Sequence, residues 1–109
     1  MNELLTPFSF ANGVVAPNRT WLAPLTNLQS HDDGTLSDDE FGWLERRAAG
    51  GFGVLESCAT HVLPDSRAWS GQLGVWGDHT TAGWARLAAM AQRHQTLLIA
   101  QLFHGGGRA

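Results

Sequence analysis

Residues 96–102 read Thr-Leu-Leu-Ile-Ala-Gln-Leu, a nearly continuous apolar run with one amide near its end. A strand with one solvated face alternates apolar and polar residues, whereas an unbroken run belongs to a strand buried on both faces, as in a parallel sheet covered by helices. Parallel strands need crossovers, so a helix and an earlier strand should precede the run. Both are present. Trp84, Leu87, Ala88 and Ala91 share one helical face, Asp78 or Thr80 can cap that helix, and it should stop near His94-Gln95. Before it, Phe52 to Ala59 reads as a strand, although Glu56 interrupts its apolar pattern. Ser37-Asp38-Asp39-Glu40 has the form of a capping box, the Ser hydroxyl meeting the N3 amide and Glu40 reaching back to the cap. Acids there also suit the positive end of the helix dipole. Phe41, Leu44 and Ala48 follow at helical spacing, and Gly50-Gly51 offers the left-handed stop that glycine reaches without strain. Earlier still, Thr20-Trp21-Leu22-Ala23 is a short β-prone run ended by Pro24, which has no N–H to donate to a ladder.

Strand, helix, strand, helix, strand is a β/α alternation, which implies parallel strands joined by right-handed crossovers. The pattern suits a barrel and an open doubly wound sheet equally. Upstream, Phe8 to Phe10 and Val14 to Ala16 flank Ala11-Asn12-Gly13, and the Asn-Gly pair predicts a small β-hairpin. Between Thr60 and His79 lies a long loop rich in Gly, Pro, Asp and Trp, and a loop of that length without its own structure is usually functional or holds elements that a single sequence does not resolve. A complete eight-stranded α/β barrel takes roughly 250 residues. The 109 residues here suffice for one modest domain, 1–109, but not for a whole barrel.

Composition narrows the function classes. A formal net charge of -3 with only 7 Lys and Arg leaves no basic patch for nucleic acid. The single Cys58 excludes an intramolecular disulfide and any cysteine-based zinc site, and points to a reducing compartment. The start, Met1-Asn2-Glu3, is acidic rather than basic, and no apolar run has the length of a membrane helix. A cytoplasmic protein without a membrane partner is expected.

A series of motifs recurs in order along the chain. Leu5-Thr6-Pro7 comes first, then Pro17-Asn18-Arg19 before the first strand and Ala23-Pro24-Leu25-Thr26 at its end. Arg47-Ala48-Ala49-Gly50-Gly51-Phe52-Gly53 precedes the second strand, and Gly74-Val75-Trp76-Gly77-Asp78 the second helix. Gln101-Leu102-Phe103-His104-Gly105-Gly106-Gly107-Arg108 closes the third strand. Together they resemble the old yellow enzyme (NADH:flavin oxidoreductase) family over nearly the whole chain. The resemblance implies the N-terminal part of an FMN-binding (β/α)8 TIM barrel, about three of eight βα units, with the hairpin plugging the bottom. FMN would lie across the carboxyl ends of the strands, where barrel active sites sit. The implied reaction is ping-pong: NADH or NADPH gives a hydride to flavin N5, and reduced flavin passes it to an alkene activated by a carbonyl or nitro group. The flavin carries the chemistry, and the protein supplies placement and electrostatics.

Carried over residue by residue, Ala23, Pro24, Leu25 and Thr26 match the segment whose main chain runs along the isoalloxazine near N5 and O4. A Thr26 hydroxyl donating to O4 would stabilise negative charge on reduced flavin and raise its potential. The plainer reading is a strand-end threonine bonded to its own backbone. Ala59 matches a small residue beside the ring, or is simply a core alanine. Gln101 matches a strand-three glutamine whose amide can donate and accept at the O2/N3 edge of the pyrimidine ring. An amide ending a buried apolar strand otherwise costs free energy unless paired.

Other polar features carry no chemistry of their own. His104 matches a family histidine best read as supporting structure. The substrate-anchoring His/His or His/Asn pair and proton-donating tyrosine of the family fall beyond residue 109, and the chain has no Tyr, so no catalytic residue is assigned. His31, His61, His79 and His94 lack ligand-like spacing, so no metal is expected. Gly105-Gly106-Gly107 reads as a tight turn rather than a phosphate loop, and Cys58 as an inert buried thiol. Trp69, Trp76 and Trp84 are candidates for covering the rim or the long loop. Two other readings remain open. One is a non-catalytic piece or subunit that needs the remainder of the barrel, a partner or a homo-oligomer to complete the sheet; the other is an unrelated small α/β binding module.

Overall fold

The computed structural model describes residues 3–108. Met1, Asn2 and Ala109 lie outside them. Two-residue strands β1 (Phe8–Ser9) and β2 (Val15–Ala16) form the antiparallel hairpin. Its turn closes where Phe10 N–H donates to Val14 O and Val14 N–H to the Asn12 side chain, with Gly13 at φ +89°. That value belongs to the left-handed region, which glycine enters without strain.

Three parallel strands follow in the order β3-β4-β5: β3 (Trp21–Leu22), β4 (Val54–His61) and β5 (Leu97–Phe103). Helix α1 (Asp38–Ala49) joins the first two and α2 (Thr81–Arg93) the last two. One core binds both helices to one face of the sheet: Phe41, Leu44 and Ala48 of α1, Leu87 and Met90 of α2, Leu55 and Cys58 of β4, and Leu73.

The helices depart from expectation in several places. Ser37 accepts the Glu40 N–H at 3.0 Å, but Glu40 does not reach back to the cap. Its carboxylate is buried and takes hydrogen bonds from Ser30 Oγ at 2.7 Å and Cys58 Sγ at 3.5 Å. A buried acceptor with two donors in reach gains more than a solvated one spent on a cap. In α2, Ala88 is exposed and Met90 takes its place in the core, because the buried stripe follows Leu87, Met90 and Ala91. Thr80 sits at the α2 cap, but its hydroxyl donates backward to Gly77 O. At the end of α1, Gly50 stays right-handed and Gly51, at φ +105°, makes the left-handed stop.

Two strand expectations also change. β4 begins at Val54 and runs on to His61, which bridges to Gly74, so the long connection is shorter and more ordered than expected. β5 is only half-buried and Leu102 is 66% exposed, because no strand covers its outer edge and little but the hairpin covers its second face.

The Pro17-Asn18-Arg19 motif joins hairpin to sheet. Asn18 Nδ2 donates to Gly51 O at 2.7 Å, and its Oδ1 accepts the N–H and hydroxyl of Thr20. Arg19 donates to Thr6 Oγ1 and Pro7 O and lies over the Phe8 ring. Beside this junction an apolar hollow of about 370 Å³ is lined by Phe8, Phe10, Ala16, Trp21 and Val54. It sits at the amino end of the strands, the side where barrel interiors fill with packed side chains.

Candidate functional site

The carboxyl ends of the strands bring the expected positions together on neighbouring elements. β4 and β5 run in register from Val54–Leu97 to Glu56–Ile99, then shift by one residue, so that Ala59 stands directly opposite Gln101. This is a β-bulge: Ser57 and Cys58 together oppose Ala100. Leu55 and Cys58 both pack in the helix-covered core, so the bulge turns Cys58 inward and Ala59 onto the other face. Leu98 also packs against that core, which leaves Leu97, Ile99 and Gln101 on the same open face as Ala59. Ala59 is half-buried and outside the core. The Gln101 side-chain amide makes no hydrogen bond to any described residue, while its backbone N–H donates to Ser57 Oγ at 3.0 Å.

Ala23, Pro24, Leu25 and Thr26 run on from β3 toward the same end of the sheet, with Leu25 and Thr26 exposed. No loop hydrogen bond uses the Leu25 or Thr26 N–H, and the Thr26 hydroxyl bonds to no described residue. The self-bonded reading of Thr26 therefore does not hold.

What fixes this loop is its crossing with the connection after β4. Ser30 N–H donates to Gly71 O and Gly74 N–H to Gly34 O. A Cβ on Gly71, which has φ +79°, would stand 2.6 Å from Leu28 O, so only glycine lets the two chains approach. Arg67 and Ser70 donate to Asp32 from the other side. Gln72, also buried, donates to Ala59 O and accepts Ala68 N–H. Underneath, Ser30, Glu40 and Cys58 tie the loop to α1 and β4. Sequence reasoning missed this triad, since a Ser-x-x-Glu pattern gives no sign that its carboxylate turns inward.

Burial first, then the Glu40 charge and its hydrogen bond, push the Cys58 thiol up to about 12. At pH 8 the folded protein should resist alkylation by iodoacetamide at Cys58, reacting only after denaturant is added; rapid labelling under native conditions would contradict this burial. The sign follows from the raised value. The stabilisation is full below the ordinary thiol range and is lost as pH rises toward 12.

The remaining candidates are structural. His104 Nδ1 accepts the Gly106 N–H, and Gly105 N–H donates to Ser66 O. Trp84 Nε1 donates to Gly74 O, Trp76 stands edge-on to His79, and Trp69 lies against Phe103 with centroids 5.4 Å apart. Among the described residues no cluster of three His, Cys, Asp or Glu side chains could hold a metal, and no helix is long and apolar enough to cross a membrane.

Known proteins share this fold. The profile of the NADH:flavin oxidoreductase / NADH oxidase family matches residues 3–109. A probable NADH-dependent flavin oxidoreductase of Bacillus subtilis is 35% identical over 103 residues, 94% of this chain and 27% of the relative. The solved old yellow enzyme homologue from Zymomonas mobilis superposes with a TM-score of 0.84 at 27% identity, covering 94% of this chain and 28% of that one. Morphinone reductase in complex with tetrahydroNAD gives a TM-score of 0.86 at 27% identity, covering 100% of this chain and 29% of that one. The chain thus spans less than a third of the length of each of these proteins.

Proposed function

Because the chain belongs to the NADH:flavin oxidoreductase / NADH oxidase family, whose cofactor is FMN with NAD(P)H as hydride donor, we propose that it supplies one wall of an FMN site in an ene-reductase. Its three parallel strands and two helices are the first units of a TIM barrel of the old yellow enzyme type. The chemistry FMN supplies when bound is hydride transfer, from NAD(P)H to the electron-poor carbon of an alkene conjugated to a carbonyl or nitro group. We propose a cytoplasmic location, which the single Cys58 suits as a sign of a reducing compartment. The uncovered edge of β5 calls for further strands, from the remainder of the barrel or from another copy of the chain.

The observation that carries this reading is a set of unspent polar groups at the carboxyl ends of the strands. The Gln101 amide, the Thr26 hydroxyl and the Leu25 and Thr26 N–H groups have no partner among the described residues, and Ala59 opposite Gln101 presents only a methyl group. These are the donors and acceptor that a flavin pyrimidine edge, with two carbonyl oxygens and one N–H, would satisfy. Gln101 would hold the O2/N3 edge, and Ala23 to Thr26 would run along the N5/O4 side. Neither moves a proton.

The test is Gln101→Leu in a complete barrel carrying these residues. One unsatisfied buried partner costs about 1–3 kcal/mol, or roughly one to two decades in FMN affinity. An unchanged dissociation constant in a flavin titration would remove Gln101 from the site. Thr26→Ala should lower the flavin midpoint potential, because a hydroxyl donating to O4 favours the anionic reduced form. A hydrogen bond to a charged group contributes about 1.5–3 kcal/mol, equivalent to roughly 30–60 mV for a two-electron couple. Reduction by NAD(P)H should slow accordingly. A potential matching the parent's in spectroelectrochemistry would reject the role.

A further inference from the structure

We propose that Ser57 is a positioning residue for Gln101, acting through the β4 bulge, an inference that rests on Gln101 contacting flavin. A bulge disrupts the ladder locally and leaves its extra residue unpaired. Here the extra residue's neighbourhood is tied back to β5 by a side chain, the Ser57 hydroxyl accepting the Gln101 N–H at 3.0 Å. Ser57 is fully buried and held in turn: its hydroxyl lies 2.9 Å from Cys58 O and 3.2 Å from Thr60 Oγ1. Thr60, equally buried, donates to Cys58 O at 2.8 Å. The hydroxyl pair therefore closes the bulge from inside. It fixes the one-residue shift that sets Ala59 opposite Gln101, and with it the position from which the Gln101 amide reaches the open face.

Without the hydroxyl, the Gln101 N–H loses its side-chain acceptor in a half-buried strand, and the bulge is freer to slide. The experiment compares a complete FMN-loaded barrel with its Ser57→Ala, Gln101→Leu and doubly substituted forms, measuring FMN dissociation constants and amide hydrogen exchange over 97–103. Ser57→Ala should weaken FMN retention roughly three- to tenfold, the loss of one net hydrogen bond, and speed exchange at Gln101. In the Gln101→Leu background it should cost nothing further, because the group it positions is gone. If Ser57→Ala does not fold, Ser57→Cys keeps the size with a poorer acceptor and should show the same pattern, weaker. Parent-like FMN affinity in Ser57→Ala beside a weakened Gln101→Leu would overturn the positioning role alone. An equal loss from Ser57→Ala in both backgrounds would make Ser57 merely structural. Unchanged affinity in Gln101→Leu would overturn the flavin reading and this inference with it.

Discussion

Gly53→Ala is expected to destabilise the fold by about 3 kcal/mol, the upper part of the range for forcing atoms into a packed site. A methyl there would stand 2.4 Å from Asn18 O and 2.6 Å from Asn18 Oδ1. Neither can give way cheaply: one is backbone, and the other is already held by the N–H and hydroxyl of Thr20. Gly53 N–H also donates to Thr20 O, so displacing the Asn18 segment breaks the start of the β3–β4 pairing. The junction of hairpin and sheet would open with it. Gly42→Ala is the internal control, since nothing lies within 4 Å of a Cβ there and a glycine inside α1 costs about 1 kcal/mol relative to alanine. Chemical denaturation of the two variants in a complete barrel should move in opposite directions. A Gly53→Ala midpoint equal to the parent's would refute the close approach.

The contrast between these glycines shows what a sequence can and cannot reveal. Phe41, Leu44 and Ala48 announced α1 because helical spacing is a local property, and Asn12-Gly13 announced the hairpin for the same reason. The order of β/α units was legible in the pattern, which suits both kinds of α/β sheet, and the series of motifs pointed to the barrel. Likeness to solved barrels decided it. Glu40 misled because Ser-x-x-Glu fits a capping box, and only the fold reveals that Ser30 and Cys58 offer it better partners. The bulge at Ser57 left no local trace, since it exists only relative to β5. β5 itself was expected to be covered on both faces, yet its covering is a property of strands that these residues do not contain.

That last point supplies the most direct test. β5 offers an unpaired edge with Leu102 exposed, and an apolar hollow of about 370 Å³ lies open under the hairpin. A sheet of three strands cannot close, and an exposed apolar edge templates association with another chain. The groups proposed for flavin hold only part of it, the pyrimidine side, so binding energy and orientation are both incomplete. Size-exclusion chromatography of these 109 residues expressed alone, in the presence of FMN and monitored by flavin absorbance, reads both consequences at once. Aggregates or swapped oligomers that elute colourless and reduce no activated alkene are expected; a monodisperse yellow monomer with alkene-reductase turnover would show that the segment is self-sufficient.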